Sequence, residues 1–127
     1  MEDDAVQGAP RRLGPRETTT MRILWREPAR FLSVRQVAEA LDAGLAYTTV
    51  MTLLSRLHEK GFLERRLAGR AWTYRPAVSE GVHAARTMSA ALHDSDDHAD
   101  VLFHFVEQLT ADEVRELRRR LEDDERR

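Results

Sequence analysis

Tyr47-Thr-Thr-Val-Met-Thr-Leu-Leu-Ser-Arg-Leu57, continued by His58-Glu-Lys-Gly61 and Phe62-Leu-Glu-Arg-Arg-Leu-Ala-Gly-Arg-Ala-Trp-Thr-Tyr-Arg-Pro76, is the stretch on which the fold turns. Val50, Leu53, Leu54 and Leu57 recur at the i, i+3, i+4, i+7 offsets of one buried helix face. A helix from about Ala46 follows, and Gly61 is suited to end it as a left-handed cap. Beyond it, Phe62–Leu67 and Ala71–Arg75 alternate in hydropathy around Ala68-Gly69-Arg70, and Pro76 closes the second run. That pattern predicts a β-hairpin.

Upstream, Pro15 suits a first helical position, and Met21, Ile23, Leu24 and Trp25 form an apolar stripe that Pro28 interrupts. Phe31-Leu32 is a short extended lead-in. Ser33-Val-Arg-Gln36 is a capping box for a second helix, with Val34, Val37, Ala38 and Leu41 on its buried face and Ala43-Gly44 at its end. Residues 1–14, with Gly8, Pro10 and Gly14 among mixed charges, read as a flexible arm and a plain disordered terminus, with contact to DNA through Arg11 and Arg12 as the alternative.

Downstream, Ser79 caps a fourth helix reaching about Leu92, and the acidic run Asp94-Ser-Asp-Asp97 separates it from a fifth rich in Val101, Leu102, Phe105, Val106 and Leu109. Thr110-Ala-Asp-Glu113 is a second capping box. It opens a sixth helix with Val114, Leu117 and Leu121 at near-heptad offsets. Three helices and a glycine-turned hairpin make 15–76 a winged helix-turn-helix domain, and 77–127 a helical C-terminal region; the fold class is mainly α with a small β-hairpin wing.

Hydrophobic residues at 42% and charged residues at 33% support a folded, soluble chain. Without cysteine, disulfides, thiolate metal sites and cysteine nucleophiles are excluded. The acidic start Met1-Glu-Asp-Asp4 does not resemble a secretion signal, and no apolar run approaches the ~20 residues that span a bilayer, so a cytoplasmic protein without membrane insertion is expected. The net charge of −2 conceals an asymmetry: residues 1–76 carry thirteen basic against nine acidic side chains, and 77–127 seven against thirteen. The basic part is the candidate reader of nucleic acid.

Within it, the buried stripe of the third helix leaves Thr48, Thr52, Ser55 and Glu59 opposite, flanked by Thr49, Met51 and Arg56. Small hydroxyl side chains can bond base edges or phosphates, and their methyls can meet thymine methyls, without holding the helix away from a groove. Arg56, Lys60, Arg65, Arg66, Arg70 and Arg75 then face only Glu59 and Glu64 between residues 45 and 76. That local excess suits phosphate. Arg65 and Arg66 point to opposite strand faces, so one of them meets phosphate, and Arg70 at the turn is the wing-tip candidate. Trp72 and Tyr74 share a strand face and are expected to plug the wing onto the helices, like Trp25 on the first helix.

These same segments carry a family likeness. Met21-Arg-Ile-Leu-Trp25, the run Tyr47–Leu57, Glu59-Lys-Gly61 and Gly69-Arg-Ala-Trp-Thr-Tyr-Arg-Pro76 resemble the penicillinase and methicillin-resistance repressors, a family that also has a copper-responsive branch. The resemblance implies a homodimeric transcriptional repressor whose winged-helix domains bind the two halves of a dyad operator in double-stranded DNA. Carried over by position, its reading residues fall on Thr48, Thr49, Met51, Thr52 and Arg56, and its interlocking dimerisation helices on 79–125. Some relatives have basic residues at the positions of Thr48 and Met51, so the base preference does not transfer. In the penicillinase branch a membrane sensor protease triggers a cut that aligns with His104-Phe105, where the family bond is Asn-Phe. The cysteine cluster of the copper-responsive branch has no counterpart here.

Two other classes compete with this reading. A winged-helix module that contacts only protein would use the third helix without needing the basic wing. An enzyme would need converging titratable groups, and neither a phosphate loop, a nucleophile elbow nor an HExxH pattern occurs. His58, His83, His93, His98 and His104 with Asp94, Asp96, Asp97 and Asp100 lack the spacing of a dedicated metal site, so no metal and no cofactor are expected.

Overall fold

A computed structural model describes residues 12–42 and 44–127. The order is α1 (Pro15–Trp25), β1 (Leu32–Ser33), α2 (Val34–Leu41), α3 (Tyr47–Glu59), β2 (Leu63–Ala68), β3 (Ala71–Pro76), α4 (Glu80–His93), α5 (His98–Glu107) and α6 (Ala111–Glu125). Contacts divide the chain into two units, one ending at Thr87 and the other running Met88–Arg127. The arm expected at residues 1–14 lies mostly outside the described residues, Arg11 included. Leu13 already packs on the core, so the fold begins before Pro15.

In the first unit, Met21, Leu24, Val37, Val50, Leu54 and Leu57 are sealed from solvent and join α1, α2 and α3 into one core. The stripe expected for α3 is buried in full: Val50, Leu53, Leu54 and Leu57. Helix α3 then stops as its sequence requires. Gly61 takes φ +88, its amide donates to the His58 carbonyl, and the Phe62 amide donates to the Leu57 carbonyl at 2.9 Å. This double bond satisfies the last carbonyls and brings Phe62 onto the core.

The hairpin is antiparallel with Ala68 opposite Ala71, leaving Gly69 and Arg70 as a two-residue turn. Gly69 has φ +66 and Arg70 does not enter the positive region, the arrangement of a turn that needs glycine first. Leu32, expected with Phe31 as an extended lead-in, and Ser33, expected as a helix cap, pair with Tyr74 and Thr73 and make β3 the centre of a three-stranded sheet, β1-β3-β2. Pro76 is the last residue of β3, opposite Leu63. Ser33 caps α2 through the box expected of it, bonding to and from Gln36.

Two long-range contacts secure the frame. Trp25 Nε1 donates to the Val78 carbonyl at 2.9 Å, and its ring stacks with His83, which also meets Phe62 edge-on. Glu17, 7% exposed, accepts from the Gly14 amide and from Lys60 Nζ at 2.7 Å. It thereby joins the start of α1 to the end of α3, where a cation is favoured by the helix dipole. Burial pushes the Glu17 pKa up, but the Gly14 amide and Lys60 outweigh it and hold the carboxyl below its ordinary value.

The second unit has no buried residue. Asp97 caps α5 and the Thr110–Glu113 box caps α6, both as expected. Arg119 and Arg120 both bond Glu116, and Arg115 pairs with Asp112, along the exposed side of α6. Among the described residues no helix is long and apolar enough to cross a membrane.

A group whose folded pKa is depressed stabilises the fold above its unfolded value, here 4.5, and that contribution is lost as pH falls through the folded value. We therefore expect Glu17→Ala to lower unfolding stability at pH 7 by about 1–3 kcal/mol, the range for a charge-assisted bond with its partner left behind. Urea titrations at pH 7 and below pH 4 should show the gap between wild type and variant closing in acid; a gap that is absent at pH 7, or undiminished in acid, contradicts the pairing.

Candidate nucleic-acid interface

Because α3 is anchored by Val50, Leu53, Leu54 and Leu57, its rotation about its own axis is set, and its other residues must face outward. Thr48, Met51, Thr52 and Arg56 are exposed, and Thr49 and Ser55 are half-buried at the margins. Thr52 Oγ1 donates to the Thr48 carbonyl at 3.0 Å, which holds its hydroxyl against the helix and leaves its methyl and one oxygen lone pair outward. The six reading residues expected on α3 thus form one continuous surface.

Beside this surface lies a cleft of about 860 Å³ between the first turn of α1 and α3, lined by Arg16, Thr48, Thr49, Thr52, Arg56 and Lys60 among others. Arg16 and Arg56 pair with no carboxylate within salt-bridge distance among the described residues, whereas Lys60 is held by Glu17. Lys60, counted in the basic cluster, is therefore a structural cation lining the cleft. Arg16 was not singled out in the sequence, because its helix reads as a core element and nothing local shows that its first turn borders α3.

The wing divides its arginines by face. Arg65 lies over the Trp72 ring at 4.1 Å, and Arg66 lies over Phe31 at 4.1 Å, a ring it shares with Arg75 at 4.4 Å. Arg75 is further tied to Glu64 at 2.8 Å and to the Ala29 carbonyl. Arg70 stands exposed in the turn. Stacking on an aromatic ring leaves the in-plane N–H donors of a guanidinium available, so Arg65 and Arg66 keep bonding capacity while losing freedom.

Tyr74 is buried and plugs the sheet onto the helices, but Trp72 is 39% exposed and departs from the expectation made for it. It stands one pleat nearer the wing tip, opposite Leu67, where the helices no longer cover the sheet, and its partner is Arg65.

In the second unit Val101, Phe105, Leu109 and Val114 are half-buried, while Leu102, Val106, Leu117 and Leu121 are exposed. Phe103, unremarked in the sequence because it falls between the two apolar ridges of α5, is 60% exposed, the most of any large apolar side chain described. His104 reaches Asp100 and Glu107 on its own helix at 3.4 and 3.5 Å. His93 meets His98 edge-on. Among the described residues no three His, Asp or Glu side chains are grouped as metal ligands would be.

Comparison with known proteins bears on this geometry. A profile described as penicillinase repressor matches residues 13–123. The transcriptional regulator BlaI of Mycobacterium tuberculosis, in strains CDC 1551 / Oshkosh and H37Rv alike, is 43% identical over 117 residues, covering 87% of this chain and 83% of the relative. The crystal structure of MepR, a transcription regulator of the Staphylococcus aureus multidrug efflux pump MepA, superimposes with a TM-score of 0.50 at 19% identity, covering 87% of this chain and 76% of MepR. That likeness supports the fold alone. The matched span takes in α1, the α3 surface, the wing and α5, and its function is repression of transcription, not catalysis. The chain belongs to the penicillinase repressor family.

Proposed function

We propose that this protein is a homodimeric repressor that lays α3 of each subunit in a major groove of a dyad operator, with the wing on the flanking backbone. One observation carries the reading. The exposed side of α3 combines Thr48, Thr49, Met51, Thr52, Ser55 and Arg56, a surface of short side chains where a merely solvated helix would carry Lys and Glu. Arg70 and one of Arg65 and Arg66, both of which are stiffened by their rings, supply phosphate contacts from the wing. A protein-only docking module gives no reason for this cationic flank.

The need for a partner copy comes from the second unit. About forty residues with no sealed side chain cannot support a fold alone. Met88, Leu102, Phe103, Val106, Leu117 and Leu121 are the large apolar side chains left 41–60% exposed, and covering what remains open of each would stabilise by roughly 1 kcal/mol. A second copy offers the same surface in return, the usual twofold solution. Residues 15–76 are then the reader and 77–127 the dimerising part, with Val101, Phe105, Leu109 and Val114 completing its core. Two half-site contacts joined in one molecule bind far more tightly than either alone.

Relief of repression fits the same division. A sensor protease that cut His104-Phe105 would sever α5 in its middle and part α6 from the reader, abolishing the bivalent contact without touching α3. The bond lies within a helix, so the segment must open before a protease could act.

Two outcomes test the proposal. The double variant Leu102→Asp, Phe103→Asp should run as a monomer in sedimentation equilibrium and lose operator binding at least tenfold while its winged-helix unit stays folded; a variant that remains dimeric contradicts the interface. For phosphate contact, Arg70→Ala in the dimer should reduce the slope of log affinity against log salt by about 2, one unit for each subunit. An unchanged slope removes Arg70 from the contact set.

A further inference from the structure

The outward surface of α3 differs on its two sides. At about 100° per residue, Thr49, Arg56 and Lys60 fall on the side toward the cleft beside α1, and Tyr47 and Met51 fall together on the other, one turn apart, with Thr48, Thr52 and Ser55 between. Tyr47 is 51% exposed and Met51 46%. An exposed tyrosine and methionine on neighbouring turns of an otherwise hydroxylic face are informative, because large apolar side chains left in water together mark a contact surface.

The chemistry around them selects the occupant. The hydroxyls between them and the cationic Arg16 and Arg56 beside the cleft suit a polyanion with bonding edges, which a duplex groove supplies. The major groove presents one apolar group of its own, the 5-methyl of thymine; cytosine, adenine and guanine offer only donors, acceptors and ring edge there. Methionine is unbranched and polarisable, able to settle on a small methyl without demanding one rotamer. Arginine or lysine at position 51 would seek guanine acceptors instead.

We infer that Met51, with Tyr47 beside it, is a specificity-determining residue that reads the 5-methyl group of a thymine in each operator half-site. This rests on the DNA-reading role proposed for α3 and adds to it the identity of one base and the atom by which it is chosen. The binding half-site contains a thymine whose replacement by uracil, which removes that methyl and nothing else, weakens the complex.

The test uses the full-length protein and a duplex recovered by selecting bound fragments from genomic DNA, resynthesised with uracil replacing thymine at one symmetric pair of positions at a time. One pair is expected to weaken binding about fourfold per half-site, the equivalent of one buried carbon, and so about fifteenfold for the dimer. Met51→Ala should bind the thymine and uracil duplexes equally while melting at the wild-type temperature. No uracil-sensitive position with otherwise intact binding overturns the inference alone. A uracil penalty undiminished in Met51→Ala also overturns it and gives the methyl to Thr48 or Thr52. Failure to recover any bound duplex overturns the reading of α3 itself.

Discussion

Burial of Val50, Leu53, Leu54 and Leu57 is the constraint from which the rest of the molecule follows. Four aliphatic side chains on one stripe cannot leave the core without losing several kcal/mol, so α3 has one rotational setting. The same setting turns the threonines, Met51 and Arg56 outward as a group. Specificity of such a surface depends on angular precision, since a rotation of one residue position would replace Thr48 and Thr52 by Thr49 and Leu53 at its crest.

The surrounding structure limits the remaining freedoms of that helix. The glycine cap at Gly61 directs the chain straight into the hairpin, and Glu17 clamps Lys60 so that the C-terminal end of α3 cannot swing from α1. Trp25 holds the Val78 carbonyl and keeps the segment after the wing against α1. On the wing, Trp72 and Phe31 carry the guanidinium groups of Arg65 and Arg66, so those side chains have less entropy to lose in a further contact. Trp72, which looks like core in the sequence, thus serves partly as a support for charge.

Much of this was legible in order because it is local. The α3 stripe, the Ser33 and Thr110 boxes, the glycine cap and the glycine turn each depend on residues within seven positions of one another, and all form as read. What escaped depends on distant neighbours. A two-residue strand at Leu32–Ser33 exists only through β3, forty positions away, and Trp72 is exposed because the helices end short of its position on the sheet. Lys60 looked like part of a binding cluster until Glu17 occupied it, and Arg16 gained its place only when the first turn of α1 came to rest beside α3. Phe103 stood out once α5 and α6 were seen to leave it uncovered.

On the proposed reading, a rotationally fixed reader joined to a second unit that pairs with its copy makes recognition bivalent, with both readers on one face of the duplex. Hydroxyl-radical footprinting of the dimer on its selected fragment tests this most directly. Two protected patches related by a dyad, with centres one helical turn or a whole multiple of about 34 Å apart, are the predicted result. A single patch, or protection spread evenly along the fragment, would contradict it.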